Sequence, residues 1–282
     1  MTTPEPNSDD GGPVDSLKEE ARTAFSHDAP PPLPAPAWIT SPSSHREPGP
    51  GVSAALGWAA IGGVVLALGA AGWLAFDLER AGSTAFWVYA IAPTAAVAVV
   101  ALVRAARDGE LGDLVRPEWG DATRAILSAA LLLGGTVGFL RVVAPAGSPR
   151  ESWMARVYLQ LGDTGWLRGH AGLVALMVLA AAAAEEIVWR GLVTRLIAER
   201  VGSRSAWIWA AVAYAMAQIP TAWVLRDPEA GLNPLLIVGA LALGLVWGAM
   251  ARWTRRLMPS ILSHAAFDWC VIMLFRLWGS GV

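Results

Sequence analysis

Seven apolar segments, each near the 20 residues that a bilayer core requires, confine this chain to an all-α, multi-pass transmembrane helical bundle. They fall at about 52–76, 84–103, 123–145, 170–190, 206–225, 232–251 and 258–277. Backbone N–H and C=O groups find no water at that depth, so each segment must satisfy them internally as a helix. The balance of 55% hydrophobic against 16% charged residues is that of a membrane protein rather than a soluble domain. Trp73, Trp87, Trp166, Trp207, Trp209, Trp223, Trp253 and Trp278 lie near segment ends, where indoles seat at headgroup level.

Residues 1–50 are rich in Pro, Ser, Asp and Glu, contain the run Pro30 to Pro36, and show no apolar periodicity. Such a stretch buries too little surface to fold alone and reads as a disordered cytoplasmic tail. Residues 51–150 then hold three accessory transmembrane helices, and 151–282 a core of one amphipathic helix and four spans. Arginines are concentrated after the second, fourth and sixth spans, including Arg104, Arg107, Arg195, Arg200, Arg252 and Arg255. The positive-inside rule then predicts an N-terminus in the cytoplasm, and the near absence of lysine (Lys18 alone) beside abundant Ala, Gly, Arg, Pro and Trp points to a bacterial source and so to the inner membrane. From Arg150 to Asp163, Trp153, Val157 and Leu161 share a stripe flanked by Met154 and Tyr158, which predicts a helix lying flat on the outer surface. A net charge of -2 and the lack of any phosphate-binding glycine loop exclude nucleic acid as a partner. The single cysteine, Cys270, sits in an apolar run and reads as core. His27, His45 and His170 are assigned no role.

Ionisable side chains inside such segments are costly and mark function first. The sequence AAAAEEIVWRGL brings Glu185 and Glu186 to the end of the fourth segment, followed by Arg190. Glu186 and Arg190 are four apart and form a structural ion pair on one helical face. Glu185 is turned about 100° away and is left free for chemistry.

Two later spans offer polar faces. In the fifth, Tyr214 and Gln218 are four apart, and Pro220 removes a backbone bond and predicts a kink near Gln218. In the seventh, Ser260, His264 and Asp268 recur every four residues as one stripe. His264 lies roughly 8 Å and Asp268 roughly 14 Å along that helix from Pro259, about the depth of Glu185.

EEIVWRG resembles the EExxxR signature of the CPBP intramembrane proteases, a group that includes the CAAX prenyl proteases and the lysostaphin-resistance-protein-A-like proteins. The order glutamate motif, aromatic-xxx-His, His-xxx-Asn is also similar, over about residues 165–277. This chain departs twice: Tyr214 and Gln218 stand where the family has Phe and His, and Asp268 where it has Asn. The resemblance implies an intramembrane endopeptidase that cleaves a membrane-associated protein or peptide with a glutamate-activated water. It implies Glu185 as base, Gln218 as an orienting group, His264 as oxyanion donor, and Asp268 either protonated or paired with His264. Glu186 belongs to the same catalytic group, and Trp189 and Tyr214 are the expected substrate contacts.

No cofactor is expected. A divalent metal on Glu185, His264 and Asp268 is disfavoured, since no HExxH-type spacing is present. The alternative function is a non-catalytic relative that binds a membrane partner in immunity or assembly, because Gln218 replaces a catalytic histidine. A proton-coupled transporter using Glu185 and Asp268 is the weaker third reading, with no repeated half in the sequence.

Overall fold

The computed structural model describes residues 52–274. The proline-rich stretch 1–50 and the last residues of the seventh expected span lie outside them. In chain order the helices are α1 (Val52–Ala75), α2 (Thr84–Arg107), α3 (Leu111–Val115), α4 (Asp121–Val143), α5 (Glu151–Leu161) and α6 (Thr164–Gly169). These are followed by α7 (Ala171–Glu186), α8 (Thr194–Val201), α9 (Ala206–Ala217), α10 (Ile219–Val224), α11 (Pro234–Thr254) and α12 (Met258–Trp269). A 3-10 turn occupies Leu78–Arg80, and π-helical turns occupy Ile187–Val193 and Cys270–Leu274.

Local chemistry sets several of these boundaries. Ser83 accepts from Phe86 N–H to start α2, Asp163 accepts from Trp166 N–H to start α6, and Asn233 accepts from Leu235 N–H ahead of Pro234 at α11. Each side chain satisfies one of the donors that a helix start leaves open. Arg255 ends α11 with a left-handed backbone at φ 60°.

Five helices are long and apolar enough to cross a membrane: Ala55–Ala75, Thr84–Arg107, Asp121–Val143, Ala171–Val201 and Pro234–Thr254. The fourth is the continuous run of α7, its π turn and α8. The remaining two expected spans are shorter. Residues 206–225 form α9 and α10, separated at Gln218, two residues ahead of Pro220. The last segment is Met258–Leu274, a shorter apolar helix within the described residues.

The bundle is tightened where small residues let backbones approach. A Cβ on Gly72 of α1 would stand 2.3 Å from Oγ1 of Thr221 in α10, and one on Gly244 of α11 would stand 3.1 Å from Cβ of Ala211 in α9. α12 packs on α4 and α7, and Ser128 of α4 donates to Ser263 of α12 at 2.7 Å. The main apolar core draws on α2, α7, α9 and α11 and includes Val188, Val193, Ile197, Ala213 and Leu257.

The arginine-rich connections converge at one end of the bundle. Arg104 pairs with Glu199 at 3.0 Å, Arg195 with Glu110 at 2.6 Å and Asp108 at 3.0 Å, and Arg256 with Asp121 through two bonds of 2.7 and 3.0 Å. At the other end, α5 is helical as its pattern predicts, but its stripe turns to protein: Trp153 and Met154 are buried beside Leu140 and Leu235. Its polar groups also tie it down. Trp153 Nε1 donates to Gly231 O, Asn233 donates to Trp153 O, and Gln160 donates to Phe76 O.

Candidate active site

The two glutamates end α7, and directly after them the helix widens into the π turn of Ile187–Val193. Such a turn misaligns the backbone ladder and is common at functional positions. Arg190 lies on it, and its Nη1 donates to Glu186 Oε1 at 2.9 Å, both side chains almost wholly buried. His264, nearly two turns into α12, approaches the same Oε1 with Nδ1 at 2.9 Å. Glu186, fully buried at 0% exposure, thus anchors α12 to the π turn.

Glu185 faces elsewhere and is half-buried. Tyr214 of α9 donates its phenolic O–H to Glu185 Oε2 at 2.7 Å. The Tyr214 ring is held on two sides, by the Trp189 indole with centroids 5.2 Å apart and by the Arg190 guanidinium 5.1 Å from its centroid. Tyr214 and Trp189, the two expected substrate contacts, are both buried. Trp189 reaches the cluster through the Tyr214 ring.

His264 is 3% exposed and lies flat against Trp247 of α11, with centroids 3.8 Å apart and planes 18° apart. Trp247 Nε1 donates to Ser263 Oγ at 3.1 Å, which fixes the indole plane under the imidazole. The second ring nitrogen, Nε2, stands 3.4 Å from Asp268 Oδ2, and the Asp268 side chain is 31% exposed. Both imidazole nitrogens therefore face carboxylates. Asp268 in turn lies within electrostatic reach of Glu185, Glu186 and Tyr214.

Gln218 occupies the break between α9 and α10. Its N–H donates to Ala215 O at 3.1 Å and its carbonyl accepts from Ala222 N–H at 2.9 Å. Its side chain is half-buried and has no hydrogen bond among the described residues.

The geometry thus gathers Glu185, Glu186, Arg190, Tyr214 and Trp189 with His264 and Asp268. It adds two relationships that the sequence does not announce: His264 pairs with Glu186 rather than Glu185, and Tyr214 is the partner of Glu185. Trp247 and Ser263 complete the support of His264. Trp247 gives no separate signal in a chain with 15 tryptophans. Ser263, adjacent to His264, falls off the four-residue stripe. Among the described residues, no group of three or more His, Cys, Asp or Glu side chains is arranged to hold a metal ion.

Residues 168–270 match the family model described as Type II CAAX prenyl endopeptidase Rce1-like. The matched region contains all of the candidate residues from Glu185 to Asp268. No curated protein and no solved structure matches the chain.

Proposed function

We propose that this membrane protein, whose residues 168–270 match the type II CAAX prenyl endopeptidase Rce1-like model, is an intramembrane protease of the CPBP type that hydrolyses a peptide bond of a membrane-associated protein or peptide with Glu185 as the base. The observation that carries this reading is the unequal environment of the two glutamates. Glu186 Oε1 accepts from Arg190 and His264 in a fully buried place, so it is committed to holding helices together. Glu185 is half-buried, with Oε2 fixed by Tyr214 and Oε1 accepting no hydrogen bond among the described residues. A carboxylate oriented by one oxygen and open at the other suits removal of a proton from water.

In this mechanism, water between Glu185 and Gln218 loses a proton to Glu185 and adds to the scissile carbonyl. The Gln218 amide orients that water or donates to the developing oxyanion, a task that an amide N–H performs without titrating. His264 is assigned a positioning role, because both of its nitrogens face carboxylates; it holds Asp268 at the edge of the site. The arginine-rich end of the bundle is assigned to the cytoplasm of a bacterial inner membrane, with cleavage near that face.

A second reading is favoured by Gln218 itself: a non-catalytic relative that keeps the Glu186–Arg190 pair and binds a membrane partner. Comparing membrane-protein termini in cells carrying the wild-type chain, Glu185→Ala and Gln218→His separates the two. Hydrolysis predicts termini that vanish in Glu185→Ala. Identical termini in all three strains, with Glu185→Ala folded and still active in a cellular phenotype, favour binding.

A further inference from the structure

The imidazole of His264 is bracketed by two carboxylates, and this fixes where a proton must be. Nδ1 lies 2.9 Å from Glu186 Oε1, the oxygen that also accepts from Arg190. An oxygen bonded to a guanidinium is an acceptor, so Nδ1 carries a hydrogen and donates. Nε2 then faces Asp268 Oδ2 at 3.4 Å. If His264 were neutral and Asp268 ionised, two lone pairs would oppose each other there. Either Nε2 carries a second hydrogen or Asp268 does, and both cases place one proton between the same two atoms.

The neighbouring acids are Glu186, bonded to the imidazole itself, and Glu185, held by Tyr214. The face of Trp247 is 3.8 Å from the imidazole centroid and attracts a cation. Arg190 is the opposing positive charge, over Tyr214 and Trp247. The remaining titratable neighbour is the Tyr214 phenol, committed to Glu185. Of the pair, His264 is sealed at 3% exposure while the Asp268 side chain is 31% exposed. Asp268 is thus the end of the pair that opens toward the site.

We infer that the His264–Asp268 pair stores one proton and that Asp268 delivers it to the nitrogen leaving the cleaved peptide bond. The inference rests on the proteolytic reading above. The step balances: Glu185 takes one proton from water, the hydroxide oxygen bonds to the carbonyl carbon, and the C–N bond breaks as nitrogen takes the proton from Asp268. Glu185 is left protonated and the pair one proton short. Transfer of that proton from Glu185 to Asp268 through the opened site restores both. Asp268 is then a catalytic acid opposite a catalytic base.

The test begins with the proton and needs no substrate. The full chain in lipid nanodiscs, labelled at histidine nitrogens and aspartate carboxyl carbons, is studied by NMR at neutral pH. His264 and Asp268 signals are assigned by their loss in His264→Gln and Asp268→Asn. The inference expects either two hydrogens on the His264 ring or a protonated Asp268 carboxyl. A neutral His264 beside an ionised Asp268 overturns it.

Delivery is then tested by the appearance rate of the Glu185-dependent termini. Asp268→Asn should slow them by ~100-fold or more, as loss of a general acid does, and Asp268→Glu should restore part of the rate. An Asp268→Asn chain that has lost the stored proton yet cleaves at the wild-type rate overturns delivery. If Glu185→Ala leaves every terminus unchanged, proteolysis itself fails and delivery with it, while the NMR result on the proton stands separately.

Discussion

The phenolic O–H of Tyr214 meets Oε2 of Glu185 at 2.7 Å, joining the interrupted helix pair α9–α10 to the glutamate motif at the end of α7. Tyr214→Phe removes that one hydrogen and keeps the ring between Trp189 and Arg190. A hydrogen bond to a charged group is worth ~1.5–3 kcal/mol. The variant should lose stability by up to that amount and lose about 10- to 100-fold in kcat, with little change in KM. Steady-state kinetics on an identified substrate, beside a melting curve, measures both.

Glu186 and Arg190 should behave oppositely, as stability residues. Arg190→Met leaves a carboxylate fully buried with His264 as its remaining partner, and breaking such a pair costs ~3–5 kcal/mol. The Glu186→Gln/Arg190→Met double variant should recover part of that loss, because no unpaired charge remains. Thermal unfolding of the wild type, Arg190→Met, Glu186→Gln and the double variant in one detergent gives the coupling.

Much of this was legible beforehand, for identifiable reasons. The Glu186–Arg190 pair follows from i, i+4 spacing on one helix, and the break at Gln218 follows from Pro220, because both are local. The link of His264 to Glu186 is not local: spacing along α12 ranks its polar residues but does not choose between two adjacent glutamates on another helix. That choice depends on the π turn after Glu186, which no propensity announces. The outward reading of α5 had a different cause, since an apolar stripe looks alike whether lipid or Leu140 and Leu235 cover it.

Close packing of α1 on α10 makes a paired prediction. Gly72→Ala places a Cβ 2.3 Å from the buried Thr221 Oγ1 and should destabilise by ~1–3 kcal/mol, as overpacking does. At Gly134 of α4, by contrast, a Cβ would meet no atom within 4 Å. Gly134→Ala should therefore be neutral or stabilising by up to ~1 kcal/mol through helix propensity. Melting temperatures of the two variants check the difference in sign.

The loop Asp227–Gly231 should carry an acid-sensitive element. Backbone N–H groups of Ala230 and Glu229 donate to the Asp227 carboxylate, and with Arg156 nearby they bring its pKa from 3.8 down to about 2. A carboxylate depressed in the folded state stabilises fully above its unfolded pKa and loses that contribution as pH falls through the folded one. Loop order should thus be constant above about pH 4 and decline toward pH 2. Asp227→Asn should flatten this dependence, read by the fluorescence of Trp153, whose indole donates to Gly231 O.

The most direct test compares Glu185→Gln with Glu186→Gln in purified protein, reconstituted in lipid, on a substrate identified from the cellular termini. The account predicts that Glu185→Gln keeps its melting temperature and loses cleavage by at least ~100-fold, while Glu186→Gln is measurably less stable. A Glu185→Gln protein that cleaves at the wild-type rate would contradict the assignment of Glu185 as the base and, with it, the proposed mechanism.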